Sequence, residues 1–306
     1  MNKRPFIYLL SHSYSGSTLL TFLMAMHPEI ATIGELKATS MGDINTYRCS
    51  CGELLTKCGF WQAVVQETAR RKIEFSLDNF NTHFRAEDLV CDKAMKAAIR
   101  NSFWEGVRKI LLNYFWPCRK KFNKIMCSNL ELIDIVCKLQ KAKFFLDGSK
   151  DATRLKFFLQ EDSLDVKILF LLRAPMGAIN SYINHNKVGL EVAIDEWLRR
   201  SKEIIYLLSR VPANQFLGIS YENLCQRPNE VMGGIFEFLQ LPKLDSALNF
   251  RSVEHHILGN AMRLKNSSEI KLDEKWKKQM SECDINFCKQ AVGYMANNLH
   301  KFMQKF

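Results

Sequence analysis

Between Phe6 and Leu20 the chain reads FIYLLSHSYSGSTLL: an apolar run, then small polar residues around one glycine, then an apolar helical pattern. That order specifies a strand, a tight turn and the start of a helix. A helix start has backbone N–H groups without internal partners, and the helix dipole adds positive potential there. An anion fits such a place. Gly16 lets the backbone approach a ligand closely, and Ser15, Ser17 and Thr18 add hydroxyl donors without adding charge. A phosphate- or sulfate-binding turn is expected here. The bland alternative is a plain helix start after a strand.

The turn differs from a nucleotide-triphosphate loop. That motif ends Gly-Lys-Ser/Thr, with the lysine on the β- and γ-phosphates. Here the matching residues are Gly16, Ser17 and Thr18, and Ser11 stands in place of the leading glycine. Ordinary ATP or GTP hydrolysis is therefore disfavoured.

A formal net charge of +11 over 306 residues favours anionic partners. No dense Lys/Arg run interleaved with aromatics is present, which argues against nucleic acid as the main partner. Ten cysteines occur, several inside apolar patterns such as Ile133 to Cys137. This reads as free thiols in a reducing compartment. Lys3 and Arg4 followed by apolar residues mimic a signal peptide, but the apolar run breaks from Ser11 to Thr18. No stretch reaches membrane-spanning length. A soluble cytoplasmic location is expected.

Strand and helix patterns alternate along the chain. The first helix runs to His27 and Pro28 ends it. Ile30 to Ile33 is a short strand, and Glu35 just after it is a candidate general base or a surface carboxylate. Residues of about 40–140 form a mainly helical insertion of the kind that carries substrate specificity. Within it, Cys49, Cys51 and Cys58 could bind zinc or form a disulfide, but no fourth ligand is evident and neither pair has zinc-finger spacing. Phe60 and Trp61 are expected to anchor the insertion. Phe103, Trp104 and Tyr114 to Trp116 are expected in packing, with an acceptor pocket as the alternative.

Lys143 to Asp147 is the third strand. Its terminal Asp147 resembles the magnesium-holding residue of phosphoryl-transfer enzymes, and Lys150 beyond it can neutralise charge on a transferred group. Val166 to Leu172 is a nearly continuous apolar run, as in a strand buried on both faces. Arg173 follows at its carboxyl end, where an arginine can grip phosphate with two N–H groups. Pro175 opens the next helix, and Ser181 lies on it. A helix from Glu191 to Arg210, a fifth strand from Gln215 to Ser220 and a helix from Pro228 to Leu239 follow. The fold class is α/β: a three-layer α/β/α arrangement around a central parallel sheet, in one domain spanning residues 1–306. His255 and His256 suggest metal, without an evident third ligand.

These segments, in this order, resemble the sulfotransferase superfamily, in particular its bacterial and carbohydrate-type branches. The resemblance covers nearly the whole chain. It implies a P-loop NTPase-like fold and 3′-phosphoadenosine 5′-phosphosulfate as donor, with no metal required. Ser15-Gly16-Ser17-Thr18 is similar to the loop that holds the 5′-phosphosulfate. Arg173 and Ser181 resemble the pair that binds the 3′-phosphate. Tyr221-Glu222-Asn223-Leu224 resembles a Tyr-Glu-Asp-Leu segment beside the adenine, and Gly259 to Arg263, with Asn260, resembles a Gly-Asn-Pro-x-Arg element that closes over the nucleotide. The Cys-x-Cys-Gly and Cys-x-Phe-Trp elements also recur in some bacterial members. Tyr14 stands where many members carry Lys or Arg against the sulfonate, Ala261 replaces the proline, and the histidine that follows the third strand in some members is absent. Lys150 is thus expected to supply the charge and Glu35 the base.

The expected activity is sulfuryl transfer to a hydroxyl, or an amine, of a small-molecule, glycan or lipid acceptor that the sequence does not specify. A kinase-like phosphoryl transferase using Asp147 and magnesium is one alternative, and a non-catalytic nucleotide-binding protein is another. Oligomeric state is open.

Overall fold

Strand β1 (Arg4–Ser11) forms the spine of a five-stranded parallel sheet. Its residues alternate between two cores: Phe6, Tyr8 and Leu10 face one, Ile7 and Leu9 the other. Period-two alternation with both faces apolar is what a strand covered on both sides requires. The computed structural model describes residues 3–39, 41–244, 249–265 and 267–303.

The loop after β1 opens into α1 (Ser17–Met24). Strand β2 (Ile30–Thr32) then leads into the insertion, which carries α2 (Gly59–Arg70), α3 (Leu89–Lys96), α4 (Ser102–Tyr114) and the 25-residue α5 (Trp116–Gln140). Strand β3 (Phe144–Lys150) and α6 (Ala152–Leu159) follow, then β4 (Leu164–Leu172), α7 (Pro175–Asn186) and α8 (Leu190–Leu208). After β5 (Phe216–Ser220) come α9 (Tyr221–Gln226), α10 (Pro228–Phe238), α11 (Trp276–Gln279) and α12 (Glu282–His300). The sheet order is β2-β3-β1-β4-β5. Helices α1, α9 and α10 pack with the Ile7 side, whereas the insertion, α6, α8 and α12 pack with the Phe6 side. This is the three-layer arrangement expected.

One irregularity positions chemistry. Tyr8 pairs with Asp147 and Leu10 with Lys150, so two steps along β1 match three along β3. The bulge sits at the carboxyl end of the sheet, and bulges re-aim side chains. Lys150 ends it with φ +67.

Three expectations need correction. Cys91 and Cys118 form a disulfide joining α3 to α5, so the cysteines are not all free thiols and the case for a reducing compartment loses that support. Trp61 is buried as expected, but Phe103, Trp104, Tyr114, Phe115 and Trp116 are exposed rather than packed. Asp147 is fully buried: Oδ1 accepts from the Leu36 and Ser149 N–H groups, and Oδ2 pairs with Arg154 Nε at 3.0 Å. Both oxygens are engaged inside the core, so Asp147 is not presented to a cation at the sheet edge. Among the described residues, no helix is long and apolar enough to cross a membrane.

Candidate active site

The carboxyl ends of β1, β3 and β4 open into a cavity of about 660 Å³. Parallel sheets keep their sites at this edge. The turn after β1 lines it with Ser13, Tyr14, Gly16, Ser17 and Thr18. Gly16 has φ +86, and a Cβ there would collide with the Tyr221 ring, so the turn needs glycine for both conformation and space. Helix α1 starts without a side-chain cap and without an acidic residue in its first turn. Its first N–H groups are therefore not neutralised from within. The Ser11 and Ser15 hydroxyls are buried with no hydrogen-bond partner among the described residues. Buried hydroxyls rarely stay unpaired; Ser11, at the end of β1, lines the cavity and can serve an anion there, whereas Ser15, just before the helix start, is fully buried and does not line it. Tyr14 has φ +60; its ring stacks on His185 at 4.6 Å and its hydroxyl accepts from Asn186 at 3.2 Å.

Arg173 stands at the end of β4, 5% exposed. Its Nη1 donates to the Tyr14 carbonyl at 2.9 Å and to Ser181 Oγ at 3.3 Å. Its Nη2 donates to the Asp273 carbonyl at 2.8 Å and lies 3.2 Å from that residue's carboxylate. The guanidinium also lies over the Tyr221 ring at 4.8 Å. Arg173, Ser181, Tyr221 and the turn thus meet at one end of the cavity wall, although the sequence spreads them over 200 residues.

On the other side, Lys150 Nζ donates to Glu35 Oε1, and both side chains are one-fifth exposed. Left-handed backbone at Lys150 costs energy and aims its side chain across the cavity. Asn260 and Arg263 also line the cavity. Asn260 caps a short 3₁₀ turn, Ala261–Leu264, by accepting from the Met262 N–H at 3.0 Å. Arg263 is buried over the Tyr47 ring, donating to the carbonyls of Arg48 and Gly259. In this arrangement it holds the loop in place.

Four charged lining residues escaped sequence reasoning: Lys37, Asp151, Arg200 and Asp273. Asp151 pairs with Lys37 at 3.5 Å. Burial opposes its charge, but Arg200, Lys37 and the Arg154 N–H together hold its carboxyl below the usual range. Arg200 is conversely held above its ordinary value: burial opposes its charge, and Asp151, Glu203 and Glu196 outweigh that. Lys37 and Asp151 sit next to residues already singled out. Arg200 is the second of two adjacent arginines on the amphipathic α8, with no local signal to mark it.

A sequence profile described as Sulfotransferase family matches residues 164–246, the stretch from β4 through the region after α10. That match spans about a quarter of the chain and marks a similarity to the sulfotransferase family there. The match contains Arg173, Ser181 and Tyr221. The sulfotransferase domain of the curacin biosynthetic pathway superposes with a TM-score of 0.52 at 16% identity, covering 95% of this chain and 99% of that one. A Mycobacterium tuberculosis H37Rv sulfotransferase, STF1, gives 0.51 at 13% identity, covering 96% and 77% respectively. Identities this low speak for the shared fold. No curated protein matches at the level of sequence. The superposed chains share the three-layer fold of this one.

Proposed function

We propose that the chain moves a sulfuryl group from 3′-phosphoadenosine 5′-phosphosulfate to an acceptor hydroxyl. The observation that carries this is the joining of Arg173 to the turn through the Tyr14 carbonyl, with the unpaired Ser11 hydroxyl and an uncapped helix start beside it. Such a site offers separate places for two anionic groups. In this reading the turn amides, Ser17 and Thr18 hold the 5′-phosphosulfate, Arg173 and Ser181 hold the 3′-phosphate, and Tyr221 lies by the base. Asn260 and Arg263 support the loop that covers the nucleotide.

Glu35 takes the acceptor proton as the acceptor oxygen bonds to sulfur and the bridging S–O bond breaks. Lys150, hydrogen-bonded to Glu35, lies where it can neutralise charge on the transferred group. The 3′-phosphate contacts lie away from the reacting atoms, so their binding energy serves positioning. We assign the acceptor side to the insertion. A second cavity of about 250 Å³ shares Lys37, Asp151 and Arg200 with the first and adds His83, Phe84 and Arg85 from the insertion. Its basic lining suits an acidic or sugar-bearing acceptor.

Thermal unfolding with added nucleotide tests the donor. Expected is stabilisation by 3′,5′-bisphosphoadenosine that does not depend on magnesium, about 2.7 kcal/mol at a hundredfold excess over Kd. Stabilisation by ATP that requires magnesium, with none from the bisphosphate, would overturn the reading in favour of phosphoryl transfer. Glu35→Gln is expected to keep the bisphosphate shift and lose about 10²–10⁴-fold in turnover; full activity in that variant would remove Glu35 as the base.

A further inference from the structure

The three-cysteine segment of the insertion gains a fourth neighbour 198 residues along the chain from Cys58. Cys49 and Cys51 lie on a tight turn: Arg48 pairs antiparallel with Leu54, and the Gly52 N–H returns to the Cys49 carbonyl at 3.0 Å. Gly52 has φ +93, the left-handed backbone such a turn demands. Cys58 follows as the residue that precedes α2. His256 arrives from the loop that lines the active-site cavity.

The distances among these four groups are informative. Cys58 Sγ lies 3.4 Å from His256 Nδ1, Cys49 Sγ lies 3.7 Å from the same nitrogen, and Cys51 Sγ lies 3.7 Å from Cys58 Sγ. All four ligand atoms are within 4.8 Å of one another. A tetrahedron with metal–sulfur bonds of about 2.3 Å and metal–nitrogen bonds of about 2.0–2.1 Å has S···S edges near ~3.8 Å and S···N edges near ~3.6 Å. The observed spacings therefore enclose one tetrahedral ion.

We propose that Cys49, Cys51, Cys58 and His256 bind one zinc ion in a closed structural site. Three thiolates and an imidazole are the donors that zinc prefers, and with four protein ligands no position is left for substrate. The imidazole is oriented from outside. The Phe60 ring lies parallel to it at 4.5 Å, and the exposed Glu254 carboxylate is 3.9 Å from its far nitrogen, too long for a hydrogen bond. A Cys51–Cys58 disulfide would engage only two of the four groups and leave the ordered imidazole unexplained.

The ion would join the start of the insertion to the cavity loop. The same two segments are already linked: the Ile257 N–H donates to Ser50 Oγ at 2.7 Å, the Gly259 N–H to Tyr47 Oη at 2.9 Å, and Arg263 Nε to the Arg48 carbonyl at 3.0 Å. The site is separate from the sulfuryl-transfer chemistry, and its assignment does not rest on the donor.

The test is metal content and metal titration of the full-length protein. Purified without chelator, it is expected to carry one equivalent of zinc by mass spectrometry. After treatment with chelator and reductant, it is expected to take up one equivalent of zinc or cobalt(II), the latter with tetrahedral thiolate absorption. Bound zinc should protect Cys49, Cys51 and Cys58 from alkylation. Cys49→Ser and His256→Ala are each expected to weaken zinc binding by at least about 100-fold. Cys127→Ser, which alters an exposed thiol elsewhere, should bind as the parent does. Absence of metal uptake by folded, reduced parent protein would overturn the assignment whether or not the variants fold. Recovery of a Cys51–Cys58 disulfide peptide from the native protein, or equal loss of zinc in Cys127→Ser, would do the same.

Discussion

Arg173 shows how much one guanidinium can organise. Burial removes it from water, and its donors are satisfied by a carbonyl of the turn, a hydroxyl on α7 and an aspartate from the far end of the chain. A buried charge without partners is costly, so truncation disturbs everything that it holds. Arg173→Ala is expected to weaken 3′,5′-bisphosphoadenosine binding by about 2–4 kcal/mol, the range for losing charged hydrogen bonds in a desolvated site. Arg173→Lys should recover only part of this, because an ammonium cannot reproduce a planar fork. Calorimetric titration decides: parental affinity in Arg173→Ala would remove it from the phosphate site. Gly16 makes the complementary case, through space rather than charge. Gly16→Ala should cost about 1–2 kcal/mol from left-handed backbone alone, with further loss from displacing Tyr221. Urea unfolding would read the first effect and nucleotide affinity the second. An alanine variant as stable and as tight-binding as the parent would contradict the close approach of Tyr221.

At the scale of elements, the segment before α11 lies across Arg173, with Asp273 accepting from it at both its carbonyl and its carboxylate and donating its own N–H to the Tyr221 hydroxyl at 3.3 Å. Asp273 also receives Arg173 where the 3′-phosphate is proposed to bind, so its carboxylate competes with that phosphate. Asp273→Asn is expected to tighten bisphosphate binding and steepen its salt dependence, both modestly, since the carboxylate is one-third exposed and its effect is screened. Weaker binding in this variant would mean that Asp273 orients Arg173 instead. The β1–turn–α1 unit was legible because its signal is local: apolar run, Gly16, hydroxyls, apolar helix within fifteen residues. Arg173 and Ser181 were legible for the same reason, one strand end and one helix. The bulge in β3 was not, because it exists only in register with β1. Asp147 misled because a strand-terminal aspartate reads alike whether it faces solvent or, as here, Arg154 in the core. His256 could not be joined to the three cysteines by spacing, since nothing in a linear pattern reports a contact across 198 residues.

For the whole molecule, the same burial that builds the sheet edge sets a limit on acid tolerance. His12 is buried beside the turn, stacked on Trp197 at 4.9 Å, with Nε2 2.8 Å from Ser201 Oγ. Burial, and then the Arg200 charge, pushes its pKa down to about 3. Burial also lowers His83 to about 4, helped by Lys37, Arg154 and Arg85. In the unfolded chain both titrate near ~6.5. Between pH 6.5 and 4 the unfolded state therefore binds protons that the folded state refuses, and stability rises with pH across that window. It is fully present above the unfolded value and lost as the solution is acidified. For His12 the loss amounts to about 2 kcal/mol between pH 7 and pH 5; His83, less buried, adds a smaller amount. Glu203 opposes the trend, because burial raises its carboxyl above the usual range and the folded state holds that proton longer. Carboxyls held low by ion pairs, such as Asp134 with Arg71 and Arg4, act only further down, below about pH 4. Urea midpoints from pH 7.5 to 4.5 should accordingly fall with acid, and His12→Gln should flatten the upper part of that slope even if its stability at pH 7.5 is reduced. An unchanged slope in the variant would mean that His12 protonates in the folded state at ordinary pH, which a fully buried ring between Trp197 and Arg200 does not permit.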